Sequence, residues 1–341
     1  MPAEIRSTAR LLRRAGRRTN LGLLLLLIGA FLTGWLAFAA GTPPRSTLAT
    51  VGHGLLGLGV VALVPWKSVI IRRAGLIWIA SIGLVAVIAV CLLSGFAQVF
   101  GGYRIVAGIT PLQVHVGAAI VAVPLLAWHV LRHRIGRQLR RADLSRRNLL
   151  RTGAFALGIG AGYAALQGAG ALAGLPSAKR SSTGSHRLDA LARPATIWLF
   201  DRVPSLDAGY LVDVAGVPMT PAELSSRTRV IRARLDCTGG WFADAEWTAV
   251  PLSELIPPDL LESAASLVVT SMTGYQRRFE AQDAYALWLA TGCQGRPLTP
   301  GTGAPIRLVA PGRRGFWWVK WVASVELSDR PAFVQPPFPL Q

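Results

Sequence analysis

The chain is short of acid, of sulfur and of histidine. Aspartate and glutamate total 17 against 36 lysines and arginines, and charged residues make up only 16% of the 341 positions. Three cysteines are too few for a disulfide framework, which sets aside the small, disulfide-dense secreted class. A formal net charge of +19 invites a nucleic-acid reading. No zinc-finger, RNP-like or basic-helix motif accompanies that charge, which argues against such a partner. What the chain has in quantity is apolar surface. Hydrophobic residues reach 52% and the mean hydropathy is positive, so part of the chain is expected in a membrane. The length has room for two domains.

Four apolar segments, 20–40, 48–66, 75–95 and 112–131, are long enough or nearly so to cross a hydrocarbon core of ~30 Å. Basic clusters flank them. The first is Arg6, Arg10, Arg13, Arg14, Arg17 and Arg18, and the second is Lys67, Arg72 and Arg73. The third is Arg132, Arg134, Arg137, Arg140, Arg141, Arg146, Arg147 and Arg151. The intervening loops carry little beyond Arg45 and Arg104. This bias predicts a cytoplasmic N-terminus and an all-α bundle of four transmembrane helices over residues 1–135. Residues 136–175 then hold a basic cytoplasmic stretch and a small-residue apolar run, 152–175. Ser145-Arg146-Arg147-Asn148-Leu149-Leu150 resembles a twin-arginine export signal set inside the chain, or else is the ordinary basic flank of a fifth helix. Ala171-Leu172-Ala173 reads as a cleavage site, but cleavage would sever the two halves, so a retained fifth helix is expected. Residues 176–189 are polar and Ser/Gly-rich, which predicts a flexible linker with a solvated His186.

The five histidines are His53, His115, His129, His133 and His186. His115 and His129 share one segment, ~21 Å apart along a helix and separated by about 40° of rotation. They therefore lie on nearly one face at different depths. His53 and His115 each stand a few residues inside a segment that starts on the outer side, so their depths match. Two readings follow: axial ligands of one outer b-type haem, or partners in helix–helix hydrogen bonds. His129 and His133 have no depth-matched histidine on another segment. Cys91, in an apolar run, reads as a small buried hydrophobe. The arrangement loosely resembles four-helix b-type cytochromes.

From about residue 190 the pattern changes to short alternating runs, Tyr210–Gly216, Val230–Asp236, Ser266–Ser271 and Pro305–Val309, which predict strands. Residues 251–263 and 281–291 read as short helices. The second half, 190–341, is thus expected to be a mixed α+β domain with its own core. Its one conspicuous segment is Arg234-Leu-Asp-Cys-Thr-Gly-Gly-Trp241, where Cys237 ends a strand-like run ahead of Gly239 and Gly240. Cys237 and Cys293 either pair in an oxidising compartment or stay separate. Downstream, Arg307 and Lys320 flank a Gly-rich aromatic turn. A lysine between Trp318, Val319 and Trp321 needs a partner if buried.

In this order and spacing the pieces resemble the molybdopterin domain of the sulfite oxidase family. The match takes in Tyr210-Leu-Val-Asp-Val-Ala-Gly, the Cys237 segment, Trp247-Thr-Ala-Val-Pro-Leu, Ser271-Met-Thr-Gly-Tyr275 and Gly303-Ala-Pro-Ile-Arg307 through Lys320-Trp321. The resemblance implies Cys237 as a soft thiolate ligand of molybdenum. It implies Arg307 and Lys320 as holders of the pterin phosphate, with Gly303 in the cofactor-contacting stretch and Tyr275 placed to orient an oxo group or substrate. It further implies a membrane-anchored, extracytoplasmic oxidoreductase that moves an oxygen atom to or from a small-molecule substrate. Electrons would pass through the membrane domain, with its lipid and quinone surroundings or another carrier. A tethered binding or assembly module with the same fold but no turnover is the alternative. The chain departs from the family at Thr302, where eukaryotic members carry a cofactor-contacting histidine. It departs again after Cys237, where Thr238-Gly-Gly-Trp-Phe242 replaces the sulfite-binding basic residues. With Trp247 nearby, this suggests a less charged substrate.

Overall fold

The structure is a computed structural model that describes residues 16–74, 81–132, 145–189, 191, 203–205 and 209–336. His133 and the arginines 6, 10, 13, 14, 134, 137, 140 and 141 lie outside the described residues. The chain divides into two compact units, one made of Met1–Ala37 and Pro43–His186, the other of Phe38–Thr42 and Arg187–Gln341.

The first unit is helical. Helices α1 (Arg17–Ala39), α2 (Arg45–Ala74), α3 (Ile82–Gly101), α4 (Pro111–Arg132) and α5 (Arg146–Leu172) follow in order. All five are long and apolar enough to cross a membrane, since a helix of about 20 residues spans the hydrocarbon core. Their outward faces carry large apolar side chains such as Leu25, Leu36, Leu93 and Leu157, as lipid-facing helices do. The third helix runs further than its expected end at residue 95, and residues 75–80 of the expected segment lie outside those described. Ser94 does not stop the helix because its hydroxyl donates back to the carbonyls of Val90 (2.6 Å) and Cys91 (3.0 Å), which satisfies it internally. Ser145 and Arg146 open α5, so the Ser-Arg-Arg motif begins a helix that continues unbroken to Leu172.

The segment expected to be a loose linker is ordered. Pro176–Lys179 forms a 3-10 turn. Thr183, Ser185 and His186 are buried, His186 to 4% exposure. Its Nε2 stands 2.6 Å from the Gln98 carbonyl, and Ser182 bonds Ser46 at 2.8 Å. Short polar side chains let this segment satisfy its own backbone against the helix ends, and composition alone does not distinguish that from a solvated coil.

The second unit is mixed α+β with two sheets. Strands β1 (His186–Arg187), β4 (Arg229–Cys237), β5 (Trp241–Pro251), β8 (Trp288–Cys293), β9 (Arg296–Pro297) and β10 (Arg307–Val309) make one. The other has the order β3-β2-β11-β6-β7, built from β2 (Val212–Val214), β3 (Val217–Met219), β6 (Ser266–Ser271), β7 (Gln276–Glu280) and β11 (Val322–Ser328). Its pairs are antiparallel except β2 with β11. Two short helices, α6 (Pro221–Ser226) and α7 (Pro258–Ser263), complete it. The helix expected over 281–291 is only a 3-10 turn, Ala281–Tyr285. Residues 288–293 form a strand between β5 and β10, so pairing on both edges overrides local helix propensity.

Candidate active site

The β4–β5 hairpin is in register from Arg229 opposite Ala249 to Cys237 opposite Trp241. Burial deepens along β4, and Leu235, Asp236 and Cys237 are all inside. The turn at 238–240 closes with Gly240 at φ +90°, which glycine adopts without strain. The Gly239 N–H lies 3.3 Å from the Cys237 sulfur. Against the other side of Cys237 stands Gly315. A Cβ on it would fall 3.0 Å from Cys237 Cα and 3.2 Å from the Asp236 carbonyl oxygen, so a side chain here would press on the backbone that carries Cys237. The neighbouring Arg314 joins Asp236 in a buried ion pair of 2.5 Å, with side chains 4% and 10% exposed. The fold thus makes Arg314 the clamp behind Cys237.

Arg307 opens β10 and is 2% exposed. Its guanidinium stands 5.2 Å from the Trp247 ring centroid and 5.7 Å from that of Trp318. It donates to the carbonyls of Thr302 (2.9 Å) and Trp318 (3.4 Å), while its buried Nε has no partner among the described residues. Burial lowers its pKa to about 10, and the charges of Cys293 and Cys237 partly offset that fall. Gly303, at φ +104°, seats both basic residues. A Cβ there would lie 3.0 Å from the Arg307 Cβ and 3.1 Å from the Lys320 Cβ. Lys320 donates to the Gly301 carbonyl at 2.9 Å and lies 5.1 Å from the Trp321 ring centroid.

Residues 215–334 match the family model described as the oxidoreductase molybdopterin binding domain. The second unit is a molybdopterin-binding oxidoreductase domain. A curated relative is the catalytic subunit MsrP of the protein-methionine-sulfoxide reductase of Xanthomonas campestris pv. campestris, 31% identical over 126 residues, covering 31% of this chain and 38% of that protein. The NADPH nitrate reductase of Mycosarcoma maydis is 48% identical over 42 residues, 12% of this chain and 4% of its own. Among solved structures, the sulfane dehydrogenase SoxCD of Paracoccus pantotrophus aligns with a TM-score of 0.34 and 23% identity, over 38% of this chain and 40% of that one. The chain thus spans well under half the length of these proteins.

The residues of the molybdopterin domain fit the cofactor. Arg307 is a buried cation whose Nε–H has no partner among the described residues, a deficit that an anionic phosphate would fill. Gly303 and Gly315 hold backbone where a side chain would intrude. Among the described residues no group of three or more His, Cys, Asp or Glu side chains gathers. Cys237, at the end of β4, is a soft sulfur donor of the kind that would suit a metal held chiefly by such a cofactor.

The remaining expected residues take different places. The Tyr275 hydroxyl donates to the Phe316 carbonyl, which braces the turn that carries Gly315. Trp241 and Trp247 are 2% and 0% exposed, so they are core rather than the open apolar wall of a substrate pocket. All three cysteines are free. Burial pushes the Cys293 thiol up to about 11, although Arg307 pulls it down. Two units above its ordinary value of 9.0 leaves roughly a hundredfold less thiolate. Iodoacetamide at pH 8 should therefore label Cys293 about a hundredfold more slowly than an exposed thiol, as peptide mass mapping can measure. Comparable rates would show that the thiol is not sheltered. In the helical unit, the His53 and His115 rings are 5.7 Å apart, centroid to centroid. His129 stands apart from them, its Nδ1 2.8 Å from the Ser81 hydroxyl.

The clamp of Asp236 and Arg314, the close approach of Gly315 and the aromatic bed under Arg307 were not found from sequence. Asp236, directly before the cysteine, was the available signal, because a buried carboxylate demands a cation.

Proposed function

We propose that the chain is a membrane-anchored, molybdopterin-dependent oxidoreductase whose catalytic domain lies on the extracytoplasmic side. Cys237 ligates the metal, and Arg307 and Lys320 hold the phosphate of the pterin. Bound there, the cofactor supplies two-electron oxygen-atom transfer. The protein holds the Cys237 sulfur beside the Gly239 N–H, fixes it between the turn and Gly315, and would neutralise the phosphate. Tyr275 positions the 315–317 turn and, through it, the ligand. The single observation that carries this reading is Arg307, a fully buried guanidinium with an unmatched N–H in a molybdopterin-binding domain.

The sidedness rests on the arginine bias and the Ser145-Arg146-Arg147 motif. A domain loaded with its cofactor in the cytoplasm needs a route that exports folded cargo, which a twin-arginine signal provides. The membrane unit exchanges electrons between the domain and a quinone or another membrane carrier. The MsrP relative is named for protein-methionine sulfoxide, so methionine sulfoxide with a reduced viologen dye is the first substrate to assay, with sulfite as the contrast. Full-length protein from a molybdenum-competent host should hold about one molybdenum and one pterin per chain. Arg307→Gln should cut both at least about tenfold, since a charge-assisted phosphate bond contributes roughly 1.5–3 kcal/mol. A folded chain with neither molybdenum nor pterin would instead mark a non-catalytic module.

A further inference from the structure

The two helical hairpins of the first unit repeat one device. The His53 Nδ1, on α2, lies 2.9 Å from the Ala30 carbonyl on α1. On α4, the His115 Nδ1 lies 2.7 Å from the Cys91 carbonyl on α3. A carbonyl only accepts, so each Nδ1 carries the proton, and a neutral ring then keeps its lone pair on Nε2. One turn beyond each acceptor stands a glycine. A Cβ on Gly34 would lie 3.0 Å from His53 Cε1, and one on Gly95 would lie 2.9 Å from His115 Nδ1. Each hairpin thus clears space on its first helix and anchors a histidine from its second.

Such backbone anchoring fixes the tautomer of metal-ligating histidines. The two rings meet edge-on at 89° with their centroids 5.7 Å apart. Two imidazoles bonded from opposite sides to one metal at ~2 Å place their centroids about 6 Å apart. Thr50, one turn before His53, marks where the site continues. A Cβ on Gly184 would touch both Thr50 Cγ2 (3.4 Å) and Arg180 Nη1 (3.8 Å). Tyr163 packs against Gly54, the residue after His53, where a Cβ would meet its ring at 2.6 Å, and its side chain bonds Arg180. The Arg180 side chain also donates to the Ser177 carbonyl at 3.2 Å. A half-buried guanidinium therefore stands on the Thr50 and Gly54 side of α2, the turns that flank His53, bonded to a tyrosine and a carbonyl.

We infer that the helical unit binds one b-type haem, with His53 and His115 as axial ligands through Nε2 and Arg180 facing a propionate carboxylate. Two nitrogen donors alone leave a bare cation short of ligands. A planar tetrapyrrole supplies the other four, and its acidic edge complements Arg180. The inference rests on the first unit alone and stands or falls independently of the molybdenum reading.

The test uses the full-length chain, purified in detergent from a haem- and molybdenum-competent host, with haem measured as the pyridine haemochrome and molybdenum in the same samples. About one haem per chain is expected, with a low-spin b-type α-band in the dithionite-reduced minus oxidised spectrum. His53→Ala and His115→Ala should each lose that band, and Gly34→Val and Gly95→Val should lower haem occupancy severalfold. His129→Ala should leave the spectrum unchanged. Molybdenum content should stay at the wild-type level in all five variants, which separates loss of the site from loss of the protein. Arg180→Gln should keep the band and lower the midpoint potential, because removing a cation favours the ferric form. A wild-type chain without haem, or a band that survives both histidine changes or depends on His129, overturns the inference. An unchanged potential in Arg180→Gln removes Arg180 from the site. Normal haem in a chain lacking molybdenum defeats only the molybdenum reading.

Discussion

Cys237→Ser should abolish turnover at the molybdenum site while leaving the domain folded. Cys237 is the metal ligand proposed above, its sulfur held between the Gly239 N–H and Gly315. A serine hydroxyl is harder and stays protonated near neutral pH, so it does not replace a soft anionic sulfur. Losing a mere supporting contact to a metal ligand costs about 10–100-fold. Losing the ligand should exceed that, so kcat is expected to fall more than about a hundredfold. The substitution is close to isosteric. Even an unbonded buried hydroxyl costs only about 1–3 kcal/mol, against a total stability of about 5–15 kcal/mol, and the Gly239 N–H remains available to it. Far-ultraviolet circular dichroism and the melting temperature should therefore barely change, while X-ray absorption at molybdenum should show one sulfur fewer. Turnover at the wild-type rate with molybdenum bound would exclude Cys237 as the ligand.

Asp236→Asn should destabilise the molybdopterin domain by about 3–5 kcal/mol, because it removes the carboxylate charge that meets the buried Arg314 guanidinium. Both side chains are inside, 10% and 4% exposed, so solvent cannot take over the lost interaction as it does for exposed pairs. For a domain of this size the shift corresponds to roughly 10 °C or more in melting temperature. Comparison with Arg234→Gln is instructive. Arg234 meets Asp244 at 2.8 Å with half of its side chain exposed, and its loss should cost no more than about 1 kcal/mol. Replacing both members by apolar residues, Asp236→Leu with Arg314→Met, should recover much of the stability, since it removes the uncompensated charge. Cofactor retention should still fall in the double variant, because Arg314 sets the position of Gly315 against Cys237. A single Asp236→Asn variant as stable as the parent would show that the ion pair contributes little.

The sequence by itself determined the two-part plan. Hydropathy run length locates membrane-spanning helices, and arginine placement frames them, because both are properties of contiguous segments. It also placed Cys237 at a strand end before a glycine turn and picked out Arg307 and Lys320, whose chemistry is local to their motifs. The helix expected at 281–291 failed where pairing on two edges made 288–293 a strand. The linker expected at 176–189 failed because its burial depends on helix ends far away in the chain. Only the tertiary structure decided who faces whom. Asp236 meets Arg314 across 78 positions, Gly303 brings the stems of Arg307 and Lys320 together, and the Tyr275 hydroxyl goes to the Phe316 carbonyl. The two histidines that depth alone had matched were set by the fold against two glycines and two carbonyls. Periodicity and composition report on neighbours in sequence. Register, close backbone approach and the pairing of buried charges are settled when distant segments pack.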